Sequence, residues 1–175
     1  MKKTIFVILA LLVVYLLLAN AIRPKIQYPA GRDTVESFGD GTYQILSGQT
    51  EEGLRKETLY NCKYDVVIIP RVQHFQITNG KVYVTGKSIE YYTYDGVDIG
   101  CTYERYAVIE METNKLTLCM IPDSASSVDA GLDVYTRLMD EMINYGDVQF
   151  LSQLTDFSQE DQSVFEELGY SLNNQ

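Results

Sequence analysis

The chain has 175 residues, 46% of them hydrophobic, and a formal charge of −10, which suits one ordinary apolar core without a disulfide framework. Residues 1–25 hold four of the 14 basic residues and no acid, so ten cations face 24 carboxylates in the remainder. A surface that negative repels phosphate backbones and anionic lipid headgroups; it excludes nucleic-acid binding and favours a protein partner with a basic surface, or loosely held divalent cations.

Met1-Lys2-Lys3 leads into an uncharged apolar run from Thr4 to Ile22, stopped by Arg23-Pro24-Lys25. Nineteen helical residues would extend about 28 Å, close to the ~30 Å hydrocarbon core. Residues 1–25 are therefore expected to be a membrane anchor or signal segment, with residues 4–22 in the membrane. Ala19-Asn20-Ala21 has the small-x-small pattern of a signal peptidase site, so secretion after cleavage near Ala21 is the alternative to a retained single-pass anchor. The length of the run and the following Pro24 favour the anchor. The short basic start places the C-terminal domain outside, in a layout of bacterial type. No cysteine stands near residue 20, which excludes a lipoprotein anchor.

Residues 26–40, polar and punctuated by Pro and Gly, read as a linker. Residues 41–175 read as a single soluble α+β domain, β-rich over 41–122 and helical over 123–175. Fourteen Tyr and no Trp agree with that leaning, since Tyr suits half-buried sheet. Gly39-Asp40-Gly41 is a turn and Thr42 to Leu46 a strand. The charged stretch 47–58 is a loop or short helix, and Tyr64 to Pro70 contains a β-branched strand.

Asn79-Gly80 is the preferred two-residue hairpin turn. Taken literally, it sets Ile77 against Val82 and Phe75 against Val84 on an apolar face. His74, Gln76 and Thr78 then oppose Thr85, Tyr83 and Lys81 on a polar one. Residues 87–102, with Tyr91, Tyr92, Tyr94 and Asp95-Gly96, suggest a second, longer or irregular hairpin. A third, from Tyr103 to Ile121 about Thr113-Asn114, pairs Ala107, Ile109 and Met111 with Met120, Leu118 and Leu116, leaving Cys119 opposite, beside Val108.

After Pro122 the period changes. Ser126 with Asp129, then Leu132, Tyr135, Met139, Met142 and Ile143, predict a helix over 127–144 ended by Gly146. A short apolar segment, VQFLSQL, follows. Ser158 with Asp161 opens a last helix with an apolar face of Val164, Phe165 and Leu168, closed by Gly169. The whole is an antiparallel β-meander packed by C-terminal helices.

Chemistry-bearing patterns are scarce. His74 is the sole histidine, and nothing around Cys62, Cys101 or Cys119 supports a Cys–His pair. These cysteines have no metal-ligand spacing; they read as buried small hydrophobes, two of which an exported domain could pair. Asp123-Ser124-Ala125-Ser126-Ser127 fails the spacing of a metal-binding Asp-Ser loop, and no nucleotide-binding glycine motif is present. Catalytic, metal and cofactor sites are accordingly expected to be none. Tyr91, Tyr92 and Tyr94 are the candidate partner contact, with strand packing as their plainer explanation. The expected function is that of a membrane-anchored extracytoplasmic acidic binding or accessory domain that contacts another envelope protein. The alternatives are an immunity-type protein binding a basic toxin, and a small envelope hydrolase using carboxylates.

Overall fold

The computed structural model describes residues 26–50, 53–94, 97–122 and 148–170, together with Leu12 and Tyr15, which are helical and exposed. For residues 90–94, 97–99 and 101 it describes the backbone alone. Among the described residues after Tyr15, nine strands form two sheets, accompanied by a 3-10 turn and one α-helix. The first sheet is an antiparallel meander of β1 (Thr34–Phe38), β2 (Tyr43–Gln49), β3 (Arg55–Asn61) and β4 (Val66–Ile69). The second runs β5 (Arg71–Thr78), β6 (Lys81–Tyr94), β7 (Val97–Glu110), β8 (Lys115–Pro122) and β9 (Val148–Leu151). Its first four strands are antiparallel, whereas β9 pairs parallel with β8.

Only Pro70 separates β4 from β5, and there the chain leaves one sheet for the other. The ladders skip a residue on either side of it, at Ile68 and at Gln73. Such bulges bend a strand and let it turn a sheet corner. The corner packs onto Gly86, where a Cβ would stand 2.3 Å from the Arg71 carbonyl oxygen. The carbonyl of Ile68, the residue skipped first, accepts from buried Arg105, whose Nε also donates to Ser88 Oγ at 2.8 Å.

The two sheets enclose one apolar layer. Phe38, Tyr43, Ile45, Leu59 and Ile69 from the first meet Val82, Val84, Ala107, Ile109, Leu116, Leu118 and Met120 from the second, all essentially removed from solvent. The outer face of the second sheet carries another core. Tyr83, Tyr106, Val108 and Cys119 lie under Leu154, Phe157, Val164 and Phe165, contributed by the 3-10 turn Leu154–Asp156 and helix α1 (Gln159–Glu167). The domain is thus three layers deep along β6, β7 and β8: sheet, sheet, helix.

The Asn79-Gly80 hairpin has the expected register, Ile77 to Val82, Phe75 to Val84 and His74 to Thr85. Its polar face is solvated only in part, however: His74 is exposed, but Tyr83 and Thr85 are fully buried beneath the C-terminal segment. The third hairpin is displaced by two residues. Ala107 pairs with Leu118 and Ile109 with Leu116, because the connection is the four-residue Met111–Asn114 and not a two-residue turn. A shift of two keeps every side chain on its face, so the core assignment survives the error. Cys119 does lie opposite that core, beside Tyr106 in register and not Val108.

Three expectations change more. The presumed linker contains β1, and Gln27 and Tyr28 both donate backbone hydrogen bonds to the Asp40 carbonyl, at 2.7 and 3.1 Å. Buried Gln44 holds the same stretch: its Nε2 donates to Tyr28 O at 3.1 Å, and its Oε1 accepts from Thr34 Oγ1 at 2.9 Å. The charged stretch 47–58 is the β2–β3 hairpin, since cross-strand pairing continues from Ser47 with Glu57 out to Gln49 with Arg55. VQFLSQL supplies β9, whose hydrogen-bonding edge the sequence does not announce. Of the expected helices, the last has the bounds read for it, with Ser158 accepting from the Asp161 amide and Gly169 at φ +91°. The helix expected over 127–144 lies outside the described residues, as do residues 4–22 apart from Leu12 and Tyr15. No helix among the described residues is long and apolar enough to cross a membrane.

Candidate functional site

Strands β6 and β7 outlast their neighbours. β5 ends its pairing at Arg71 with Lys87, and β8 ends at Pro122 with Tyr103. The ladder between β6 and β7 continues in unbroken register to Tyr94 with Val97. Residues 89–94 and 97–102 therefore form a two-stranded ribbon leaving the sandwich for about 20 Å, at ~3.3 Å per residue. Neither outer edge of the ribbon has a strand partner among the described residues. Tyr91, Tyr92 and Tyr94 are brought together on it, opposite Gly100, Ile99 and Val97. The sequence reading placed a long or irregular hairpin here; the ladder is regular. At its base Ile89 is half-exposed, while Ser88 and Tyr103 are buried in the sandwich.

Two shallow hollows lie at the β2–β3 tip. One, about 330 Å³, is bordered by Thr50, Leu54, Arg55, Lys56, Glu57, Arg71 and Val72; the other is bordered by Arg32, Asp33, Thr34, Val35, Ser47, Gly48, Gln49 and Arg55. Arg32, Arg55, Lys56 and Arg71 bring local positive charge to an acidic chain, part of it met by Glu57, which takes Arg55 Nη2 at 3.1 Å. These cations are spread over two strands and a loop, so no linear motif announces them.

A densely connected polar group is Asp161, near the start of α1. Its Oδ1 accepts from Lys81 Nζ and from Tyr83 OH, both at 2.8 Å, and its Oδ2 from Ser158 Oγ at 2.7 Å. Burial alone would push this carboxyl up; the bonds from Lys81, Ser158 and Tyr83 outweigh it and hold the pKa below the usual value. Lys81 is correspondingly raised by its bond to Asp161. Tyr83 is raised by burial and by the same carboxylate, so its hydroxyl remains a donor. Asn79 Nδ2 adds a bond to Glu160 Oε1 at 3.0 Å, and Thr85 Oγ1 one to Tyr170 OH at 2.9 Å. Every lone pair used here faces a donor within the fold, which makes the cluster a clasp between helix and sheet. From sequence, Ser158 and Asp161 were legible only as a helix start.

His74 is exposed on β5, its ring edge-on to Tyr170 at 6.2 Å. Cys119 lies in the aromatic outer core, its thiol pushed up to about 12 by burial first and by Asp156 second. A thiol so poised stays protonated at neutral pH and is a poor nucleophile. Cys62 sits part-buried in the first sheet's far loop, also raised by burial, and both are free thiols. Among the described residues no group of three or more His, Cys, Asp or Glu side chains gathers closely enough to hold a metal ion. The Asp123–Ser127 stretch lies outside the described residues. No protein-family model matches the chain, and neither curated proteins nor solved structures give a match.

Proposed function

We propose that the chain is a membrane-anchored, extracytoplasmic acidic binding domain that contacts another envelope protein through the β6–β7 ribbon, and that it is not an enzyme. The ribbon carries this reading. An isolated two-stranded hairpin is marginal in water, so one that projects for about six residues per strand gains stability from whatever it meets. Its edges, without a strand partner among the described residues, offer backbone donors and acceptors for strand addition, and three tyrosines supply large contact area at low entropic cost. The acidic excess favours a basic partner surface and steers its approach. Anchoring rests on the apolar run 4–22 between basic flanks.

A photocrosslinking side chain placed at Tyr92 in intact cells tests the reading, with the same group at exposed Gly53 as control. One discrete stoichiometric adduct from Tyr92, absent from Gly53 and weakened by salt, is the expected result. Equal adducts from both positions, or none from Tyr92, reject the ribbon as the contact.

A further inference from the structure

The ends of the sandwich are chemically and topologically distinct. At one end gather the turn Gly39–Thr42, the loop Cys62–Asp65, the Asn79-Gly80 turn and the loop Met111–Asn114. Gly39 lies so close to the third hairpin that a Cβ there would be 2.6 Å from Met111 O, and Met111 N donates to Gly80 O at 3.0 Å. Cys62 N donates to Thr42 O at 2.7 Å. The β2–β3 tip and the ribbon occupy the opposite end, because β2 and β6 both run away from these turns.

The chain enters the domain at the first end. Gln27 and Tyr28 are fixed on Asp40, and Tyr28 O lies where a Cβ on Gly41 would be, 1.9 Å away. Gly41 has φ +91°, so the contact demands glycine twice over. Between the apolar run ending at Ile22 and the fixed Gln27 stand only Arg23, Pro24, Lys25 and Ile26. Five Cα steps reach at most about 18 Å, while a headgroup layer is itself roughly 5–7 Å deep. A domain tethered so closely cannot turn freely.

We infer that this end of the sandwich is seated on the lipid headgroups, with the tyrosine ribbon pointing away from the membrane. The inference rests on the anchor reading above. The rim of that end suits a zwitterionic surface. Ile26 is 69% exposed, and Lys63 is exposed with its ammonium 4.6 Å above the Tyr64 ring, an aromatic and cationic pair of the kind found at interfaces. Gln27, Lys63, Tyr64, Thr113 and Asn114 border one small hollow beside the point where the chain enters. Two acids of this end accept hydrogen bonds from neighbouring residues, Asp40 part-buried and Asp65 at the surface. Asp40 accepts from Thr42 N and Oγ1, and Asp65 accepts from Tyr60 OH.

The test uses the full chain in phosphatidylcholine nanodiscs, with its native cysteines replaced and a donor fluorophore on Glu112→Cys or on Leu54→Cys. Energy transfer to headgroup-labelled lipid should be several-fold stronger from position 112 than from 54. Inserting about twelve flexible Gly-Ser residues after Lys25 should bring the two values together. Equal transfer from both ends of the unlengthened chain, or stronger transfer from position 54, overturns the seating while leaving the anchor intact. A chain that fails to enter nanodiscs overturns the anchor reading, and the seating falls with it.

Discussion

The second sheet is buried on both faces, but by different means. Its inner face is aliphatic and meets another sheet: Val82, Val84, Ile109, Leu116 and Leu118 form a layer without solvent. Its outer face is aromatic and meets a helix near the end of the described chain. Phe165 makes edge-to-face contacts with Tyr83, Tyr106 and Phe157 at 5.7, 5.5 and 5.2 Å. The inner layer is held by strands covalently interleaved through Pro70, so it opens only when both sheets part. Among the described residues, the outer layer is held by a short 3-10 turn, a nine-residue helix and a polar clasp, so it can open alone. Elements attached by few contacts open at lower free energy than the sheets beneath them.

Substitution separates the two layers. Leu118→Ala deletes a fully buried inner side chain and should cost roughly 2–5 kcal/mol. Its effect belongs to the whole fold: the denaturant midpoint falls with an unchanged m-value, and amides of both sheets lose protection together. Phe165→Ala should cost about 3 kcal/mol by the same cavity argument, with protection lost first in α1 and over Tyr83 and Tyr106. Loss of the β2–β3 amides to the same degree would show that the layers form one cooperative unit, against the distinction drawn here.

Both layers were partly legible in the sequence, and the gaps have physical causes. The Asn79-Gly80 turn dictates register by itself, so the pairs from Thr78–Lys81 to His74–Thr85 could be read directly. The fate of their second face could not, because what buries Tyr83 is Phe165, more than eighty residues away. Yet a signal existed. In β7 and β8, Val108 and Cys119 put apolar side chains on the face opposite the inner core, and strands apolar on both sides are covered on both sides. Two sheets instead of one depended on a corner at Pro70, and a lone proline after VVII reads equally well as a strand end. Ser158 and Asp161 marked a helix start correctly, because a cap is local chemistry. The partners Lys81 and Tyr83 are a property of the tertiary fold.

Acid should dissect the clasp. Because Asp161 has its pKa lowered by folding, its contribution is complete above the ordinary carboxylate value of about 3.9 and is lost as pH falls through the depressed native value. Wild-type stability should therefore decline below about pH 4 more steeply than that of Asp161→Asn. The variant should cost about 2 kcal/mol at neutral pH, where charge-assisted bonds from Lys81 and Tyr83 are lost. The two proteins should converge in acid. Parallel stability profiles, followed by unfolding at a series of pH values, would show that the clasp carries no linked charge.

The smallest effect gives the sharpest comparison, because Cys119 reports on the outer layer from inside it. Its thiol, buried and raised to about 12, reacts only when the layer opens. Ser158→Ala removes the cap that accepts from the Asp161 amide at 3.2 Å and the hydroxyl donated to its carboxylate. Losing such a cap costs about 1 kcal/mol, which corresponds to roughly fivefold faster labelling of Cys119 at fixed pH if opening precedes reaction. Mass mapping separates this thiol from Cys62 and Cys101. The global denaturant midpoint should move much less than Cys119 labelling, because opening the helix layer leaves the inner core closed. If labelling accelerates only as much as global unfolding does, Cys119 is reached through the whole-molecule transition and the outer layer has no opening of its own.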